Sequence, residues 1–201
     1  MMSYGLMRIF ALLLSCLLAI ETGAQEMRPD ELVRKVTTDV LAAIKIDPQL
    51  QAGDSRKALA LAEEKILPHV DFREATLLAM GKSWQLATPA QQTQIVNEFR
   101  SMLVRIYSNA IDVYRGQNMQ VLPVRMAPGA TEVTVRNRYI SGGRPPVPVE
   151  YAMRKTAEGW KIYDIAVEGV SLVLTYRAEF ESITRASGVE GLLKRLREKN
   201  A

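Results

Sequence analysis

The segment TEVTVRNRYI, residues 131–140, is the clearest indication of the fold in the sequence. Its side chains alternate, with Val133, Val135 and Tyr139 on one face and Glu132, Thr134, Arg136 and Arg138 on the other. A β-strand that packs one face on a core and exposes the other to water has this period of two. The segment therefore predicts a strand of an antiparallel sheet.

Three further segments on either side of this stretch predict strands, at residues 118–126, 146–155 and 160–167. Turn residues separate them at 128–129, 141–144 and 158–159, so consecutive strands pair as an antiparallel meander of about four strands. Pro146 and Pro148 lack the N–H that a sheet ladder uses, which favours an edge position or a bulge for the third strand. In the last strand, alternation assigns Tyr163, Ile165 and Val167 to one face and Trp160, Ile162 and Asp164 to the other.

Before the sheet, the apolar spacing is helical. Helix starts are predicted at Pro29-Asp30, at Asp54 or Ser55, at Asp71, and at Thr88-Pro89. The longest helix carries an apolar stripe from Ile95 to Tyr114 and ends at Gly116. The predicted architecture is α+β: a helical first half to about residue 116, a curved sheet over 118–168, and C-terminal helices over 171–200. Helices and sheet enclose either a solid core or an apolar pocket, and the pattern does not distinguish the two.

The first 24 residues predict a cleaved signal peptide. Arg8 precedes an apolar run of residues 9–20, and Thr22-Gly23-Ala24 supplies small residues for cleavage. The run is shorter than the ~20 residues that a membrane-spanning helix needs. A lipoprotein processed at Cys16 is the alternative, but the apolar run continues past that cysteine. We expect residues 25–201 to form one exported domain, whose net charge stays at +4 because one basic and one acidic residue are removed.

The composition provides little for catalysis. His69 is the only histidine and Cys16 the only cysteine, so no metal site and no cofactor are predicted. No glycine-rich phosphate loop or basic nucleic-acid face occurs. Asp164 and Glu168 remain candidates for an acid in a pocket. The favoured alternative is that they accept hydrogen bonds from nearby backbone or from Arg177 at the strand-to-helix corner.

Several stretches together resemble one family, the MlaC or toluene-tolerance family, the phospholipid-binding component of the Mla (maintenance of lipid asymmetry) pathway. They are ILPHVDF at 66–72, GKSWQLATPAQ at 81–91, Phe99-Arg100, Tyr107, GWKIYDIAVEGVSL at 159–172 and GVEGL at 188–192. The resemblance implies a sheet like that of nuclear transport factor 2, with added helices and a deep pocket for phospholipid acyl chains.

The resemblance also implies a function. A non-enzymatic, monomeric carrier in the periplasm of Gram-negative bacteria shuttles phospholipid between two membrane complexes and maintains the asymmetry of the outer membrane. One complex is an outer-membrane lipoprotein–porin complex, and the other an inner-membrane ABC transporter with an MCE-domain ring. Two alternatives stay open: an enzyme of the same fold that uses Asp164 or Glu168, and a ligand-free adaptor between envelope complexes.

Residues on inward faces next to the sheet are the expected lipid-binding set, each of which could instead be ordinary core. Six tyrosines beside the aliphatic stripes suit a pocket that is apolar inside and polar at its mouth. The expected set is Trp84, Phe99, Leu103, Tyr107, Ile111, Val133, Val135, Tyr139, Val147, Val149, Tyr151, Ile165, Val167, Val170 and Val173.

Overall fold

The structure, a computed structural model, describes residues 27–107, 118–140, 143 and 145–201. The signal peptide, Cys16, Ile111 and the helix end at Gly116 lie outside the described residues. Within these ranges, no helix combines the length and the apolar character needed to cross a membrane.

The described residues form six α-helices. Asp47, Asp54 and Asp71 each accept backbone N–H groups at the first turn of a helix. Thr88 and Gln91 exchange two hydrogen bonds at the start of the helix that begins at Pro89, between side chain and backbone in each direction. The helices are α1 (Pro29–Ile46), α2 (Pro48–Ala52), α3 (Ser55–Lys65), α4 (Phe72–Met80), α5 (Pro89–Tyr107) and α6 (Arg177–Asn200). Of these, α1, α3, α4 and α5 start at the predicted capping signals, whereas the short α2, capped by Asp47, was not predicted.

The last helix begins later than the sequence suggested. Residues expected to be helical from 171 instead add a short strand, followed by a 3-10 turn at Leu174–Tyr176. Helix α6 then contains a kink at Gly188, whose φ of 66° lies in the left-handed region that glycine tolerates.

Five strands form one antiparallel sheet in the order β1-β2-β3-β4-β5, which confirms the α+β meander. The fifth strand was not predicted, because two residues are too few to show a period. The strands are β1 (Asn118–Val121), β2 (Glu132–Ile140), β3 (Val147–Thr156), β4 (Gly159–Val167) and β5 (Val170–Ser171).

Of the two alternatives predicted for the proline-containing strand, the edge position is wrong, since β3 lies between β2 and β4. A bulge does interrupt the pairing of β3 with β4, but between Ala152 and Met153 rather than at the prolines. The carbonyl of Pro148 accepts the N–H of Glu168, just beyond the last registered pair of β3 and β4, Val149 with Val167. Because N and C=O of one strand residue point the same way, the proline nitrogen also faces the end of β4. The missing N–H therefore falls where the ladder stops and Glu168, at φ 51°, turns the chain away.

The apolar interior divides into three clusters. The helical cluster joins α4, α5, α6 and the 3-10 turn at Gly81–Leu86. The sheet cluster joins one face of the sheet, here called the inner face, to Leu32 and Val33 of α1. The third cluster lies between α1, α2 and α3. In the described residues the helical and sheet clusters have no member in common.

Helix α4, part of the helical cluster, meets the sheet at the edge of β4 that is not paired with β3. Val70 forms a parallel bridge with Ile162, and the N–H of Asp71 donates to the Ile162 carbonyl over 2.8 Å. Arg154 of β3 forms ion pairs with Glu74 and Asp71 at the start of α4. This junction holds the bundle beside the sheet.

Candidate functional site

The inner face of the sheet is the strongest candidate for a binding surface. Its apolar side chains stand in rows across the strands, as in Val135–Tyr151–Ile165 and Val149–Val167. Val135 is fully buried and Val149 and Tyr151 are nearly so, whereas Ile165 and Val167 on β4 are only partly buried. The face is therefore closed over β2 and β3 and less covered over β4.

A β-bulge changes which side chains of β4 belong to this face. Ala152 pairs with Asp164 but Met153 pairs with Ile162, which leaves Tyr163 as the extra residue. The extra residue reverses the alternation, so Trp160 and Ile162 join the face of Ile165 and Val167 and pack in the sheet cluster. The predicted opposition of these two sets is wrong, because strict alternation holds only where no bulge intervenes.

Asp164 lies off the inner face, because its partner Ala152 lies between the inward residues Tyr151 and Met153. Its Oδ1 accepts the N–H groups of Ile165 (2.8 Å) and Val173 (3.2 Å). Asp164 thus holds the corner after β4 through the backbone. Arg177 instead donates two hydrogen bonds to the carbonyl of Leu78.

Other residues of the expected set belong to the helical cluster. Trp84, Phe99 and Val173 are buried there, and Leu103 packs against them. Phe99 makes edge-to-face contacts with Tyr176 and Phe180, at centroid distances of 5.3 and 5.1 Å. Tyr107 hydrogen-bonds to Tyr176, and this bond, after burial, raises the pKa of Tyr176 well above its ordinary value.

The expected residues thus fall into two groups that the structure does not bring together. Val133, Val135, Tyr139, Val149, Tyr151, Ile165 and Val167 line the sheet cluster, whereas Trp84, Phe99, Leu103 and Val173 line the helical cluster. Val147 and Val170 are exposed, at 36% and 58% of their surface, and lie at the end of the sheet where β3 begins and β4 ends. Leu174, 41% exposed, follows shortly after Val170. This end carries several water-exposed apolar side chains.

One polar residue of the inner face was missed by the sequence analysis. Asn137 lies between Val135 and Tyr139 on β2, is 1% exposed, and has no hydrogen-bond partner for either side-chain polar atom. Nearby, the hydroxyls of Tyr139 and Tyr151 lie 3.1 Å apart. The signal was present, because Asn137 occupies an apolar position of the alternating stretch that predicts the strand.

Titratable groups in the described ranges form no metal-binding cluster of three or more. Burial lowers the pKa of His69, and the nearby positive charges of Lys161 and Lys35 lower it further. Burial, together with Glu132 and Glu74, raises the pKa of Tyr163. His69 is therefore a neutral side chain at the junction of the bundle and the sheet.

Comparisons with known proteins agree on one family. The family model described as MlaC protein matches residues 34–198. The toluene tolerance protein ttg2D of Pseudomonas putida is 25% identical over 162 residues, 80% of this chain and 74% of the relative. The intermembrane phospholipid transport system binding protein MlaC of Haemophilus influenzae is 19% identical over 193 residues, 94% and 90% of the two chains.

A solved structure is also similar, that of the phospholipid-binding protein from Ralstonia solanacearum in complex with a phospholipid. It is 40% identical with a TM-score of 0.75, and the match covers 84% of this chain and 94% of that one. With a family model that spans most of the sequence and a fold that superimposes on this relative, the chain belongs to the MlaC family.

Proposed function

We propose that this protein is a phospholipid carrier that holds acyl chains against the inner face of its sheet. The observation that carries the proposal is the 40% identical relative whose structure contains a phospholipid and whose fold covers 84% of this chain. Belonging to a family with an intermembrane phospholipid transport protein supports the same function.

The physical need for a carrier follows from the lipid. Each methylene exposed to water costs about 0.8 kcal/mol, so two exposed acyl chains cost on the order of 20 kcal/mol. An apolar, partly open face such as the β4 side of the sheet cluster can take up that surface. Exposed Val147, Val170 and Leu174 would then border the entrance at one end of the sheet.

The lipid-contacting residues are proposed from this geometry. The primary surface is the sheet group, with Ile165 and Val167 as its least covered members. A second set would contact the lipid only where the helical cluster borders it. This set comprises Trp84, Phe99, Leu103 and Val173 of that cluster, and Tyr107, which hydrogen-bonds to Tyr176. Ile111 remains part of the proposed set on sequence grounds.

We also propose a specific cellular role for the carrier. A carrier exported by the signal peptide at residues 1–24 would act in the periplasm as a monomer. It would exchange lipid with an outer-membrane lipoprotein–porin complex and an inner-membrane MCE-domain ABC transporter, and so maintain outer-membrane lipid asymmetry. The name of the Haemophilus influenzae relative, an intermembrane transport binding protein, supports this placement.

Catalysis is not part of the proposed function. Asp164, the leading acid candidate in the sequence, lies off the inner face and accepts two backbone N–H groups. A general acid or base needs a free oxygen within reach of a substrate, and the apolar face is on the other side of the sheet at this residue.

The test is extraction of the protein, purified from the periplasm under native conditions, with organic solvent, followed by mass spectrometry of the extract. We expect close to one phospholipid per protein, and an intact mass of the polypeptide that begins at Gln25. An extract without lipid from a folded protein, together with failure to load added phospholipid, would favour the ligand-free adaptor and refute the carrier.

A further inference from the structure

Asn137 is a polar side chain that the fold itself does not use. It is 1% exposed, and both its Oδ1 and its Nδ2 lack hydrogen-bond partners. Burying an amide without partners costs free energy, because the bonds it made to water are not replaced. The other unpartnered atoms found in the described residues differ, since Asp30 accepts a hydrogen bond at its Oδ2, Asn200 donates from its Nδ2, and Thr184 has a single hydroxyl.

The surroundings of Asn137 are apolar. It pairs with Val121 of β1 and Val149 of β3, and Val149 pairs in turn with Val167 of β4. Asn137 therefore stands in a row of valines across the middle of the inner face. A valine or leucine here would complete the row and remove the unpartnered groups.

Two tyrosines on this face lie in the rows on either side of Asn137. Tyr139 pairs with Val147 on one side of the row, and Tyr151 pairs with Val135 on the other side. Their hydroxyls nevertheless approach to 3.1 Å, so the two rings lean toward each other across the row that contains Asn137 and Val149. The amide and two hydroxyls make a small neutral polar patch in an apolar wall.

The charge of this patch indicates its ligand. Arg136 and Arg138, the chain neighbours of Asn137, lie at exposed positions on the opposite face, and Arg136 is paired with Glu150 over 2.8 Å. A phosphate prefers arginine or lysine, whereas an uncharged amide donor suits a neutral carbonyl. An ester carbonyl is the neutral acceptor that a diacyl lipid carries next to its apolar chains.

We propose that Asn137 is a hydrogen-bonding anchor for an ester carbonyl of a lipid on the inner face, an inference that rests on the proposed carrier function. Nδ2 donates to the carbonyl oxygen of the ester, beside the Tyr139–Tyr151 pair. One neutral hydrogen bond is weak enough to keep lipid exchange reversible.

The test compares two lipids that differ only in this carbonyl. The mature protein is stripped of lipid and offered an equimolar mixture of dioleoyl phosphatidylethanolamine and its dialkyl ether analogue, and the bound lipids are counted by native mass spectrometry. We expect the wild type to prefer the diester about five-fold, the effect of one neutral hydrogen bond. The Asn137→Leu variant should lose the preference, whereas Arg138→Leu, at an exposed position on the opposite face of the same strand, should keep it.

Each outcome decides a separate point. Equal binding of both lipids by the wild type overturns the anchor and leaves the carrier intact, whereas binding of neither lipid refutes the carrier. A preference that survives in Asn137→Leu also overturns the anchor. The lipid-free Asn137→Leu protein should unfold at the same urea concentration as the wild type or a higher one. A lower midpoint would assign Asn137 a structural role, such as holding a trapped water, and overturn the proposal.

Discussion

The helical cluster and the sheet cluster differ in how completely they bury their apolar side chains. At the centre of the helical cluster, Phe99, Met102, Leu192, Leu193 and Leu196 have no exposed surface. On the sheet, burial is complete at Val135 and Met153 but only partial at Ile162, Ile165 and Val167 of β4. The first region has the close packing of a solid core. The second leaves apolar side chains partly exposed and the amide of Asn137 without a partner, as we expect of the proposed lipid-binding surface.

The largest effect is expected from breaking the helical cluster. Phe99→Ala removes the ring that contacts both Tyr176 and Phe180, and should lower the free energy of unfolding by about 3–5 kcal/mol. Urea unfolding of the lipid-free protein measures it. Ile106→Ala on the same helix, where the side chain is 48% exposed, is the matched control and should change stability by less than about 1 kcal/mol. Similar losses in both variants would contradict the solid-core assignment.

Breaking the sheet face should affect lipid and spare the fold. Val167→Asp places a carboxylate on the less covered part of the inner face, where contact with acyl chains would leave the charge unsolvated. We expect loss of bound phospholipid in purified protein with an unchanged far-UV circular dichroism spectrum. Ala166→Asp puts the same charge on the other face of β4 and should retain lipid. Normal lipid content in Val167→Asp would count against the inner face as the binding surface.

The junction between the two regions should give a smaller effect. Arg154→Met removes the ion pairs from β3 to Glu74 and Asp71 of the α4 start, in a site that is partly solvated. We expect a loss of about 1 kcal/mol in unfolding free energy and a lower salt dependence of stability. Arg136→Met, which breaks the exposed pair with Glu150, is the control and should cost less. Equal losses of unfolding free energy in the two variants would mean that the ion pairs of Arg154 with the start of α4 stabilise the fold no more than an exposed surface pair does.

The smallest effect concerns pH at the same junction. His69 has its pKa lowered mainly by burial, so the unfolded chain takes up the proton first as pH falls. Stability is therefore full above the ordinary histidine pKa of about 6.5 and decreases as pH falls from there through the lowered pKa of the folded protein. We expect the urea midpoint of the wild type to fall slightly more than that of His69→Gln between pH 7.5 and 5.5. Because this is the only histidine, parallel curves would refute the burial effect.

Local signals in the sequence were sufficient for most elements. Thr88-Pro89 predicted the start of α5, and the alternation at 131–140 predicted β2, because caps and strand faces depend on a few neighbouring residues. The bulge at Tyr163 was not predictable, since it depends on how β3 and β4 pair. That one residue decided that Trp160 and Ile162 face inward.

The α+β class, the meander and the family were all predictable from the sequence, because each depends on local hydrophobic periodicity or on short specific motifs. Only the tertiary structure separated the apolar stripes into a closed helical core and a partly open sheet face. This is because burial depends on which elements pack together, and the same pattern of valines can belong to a closed core or to a partly open face. Tertiary structure likewise isolated Asn137, whose unpartnered state is a property of its surroundings.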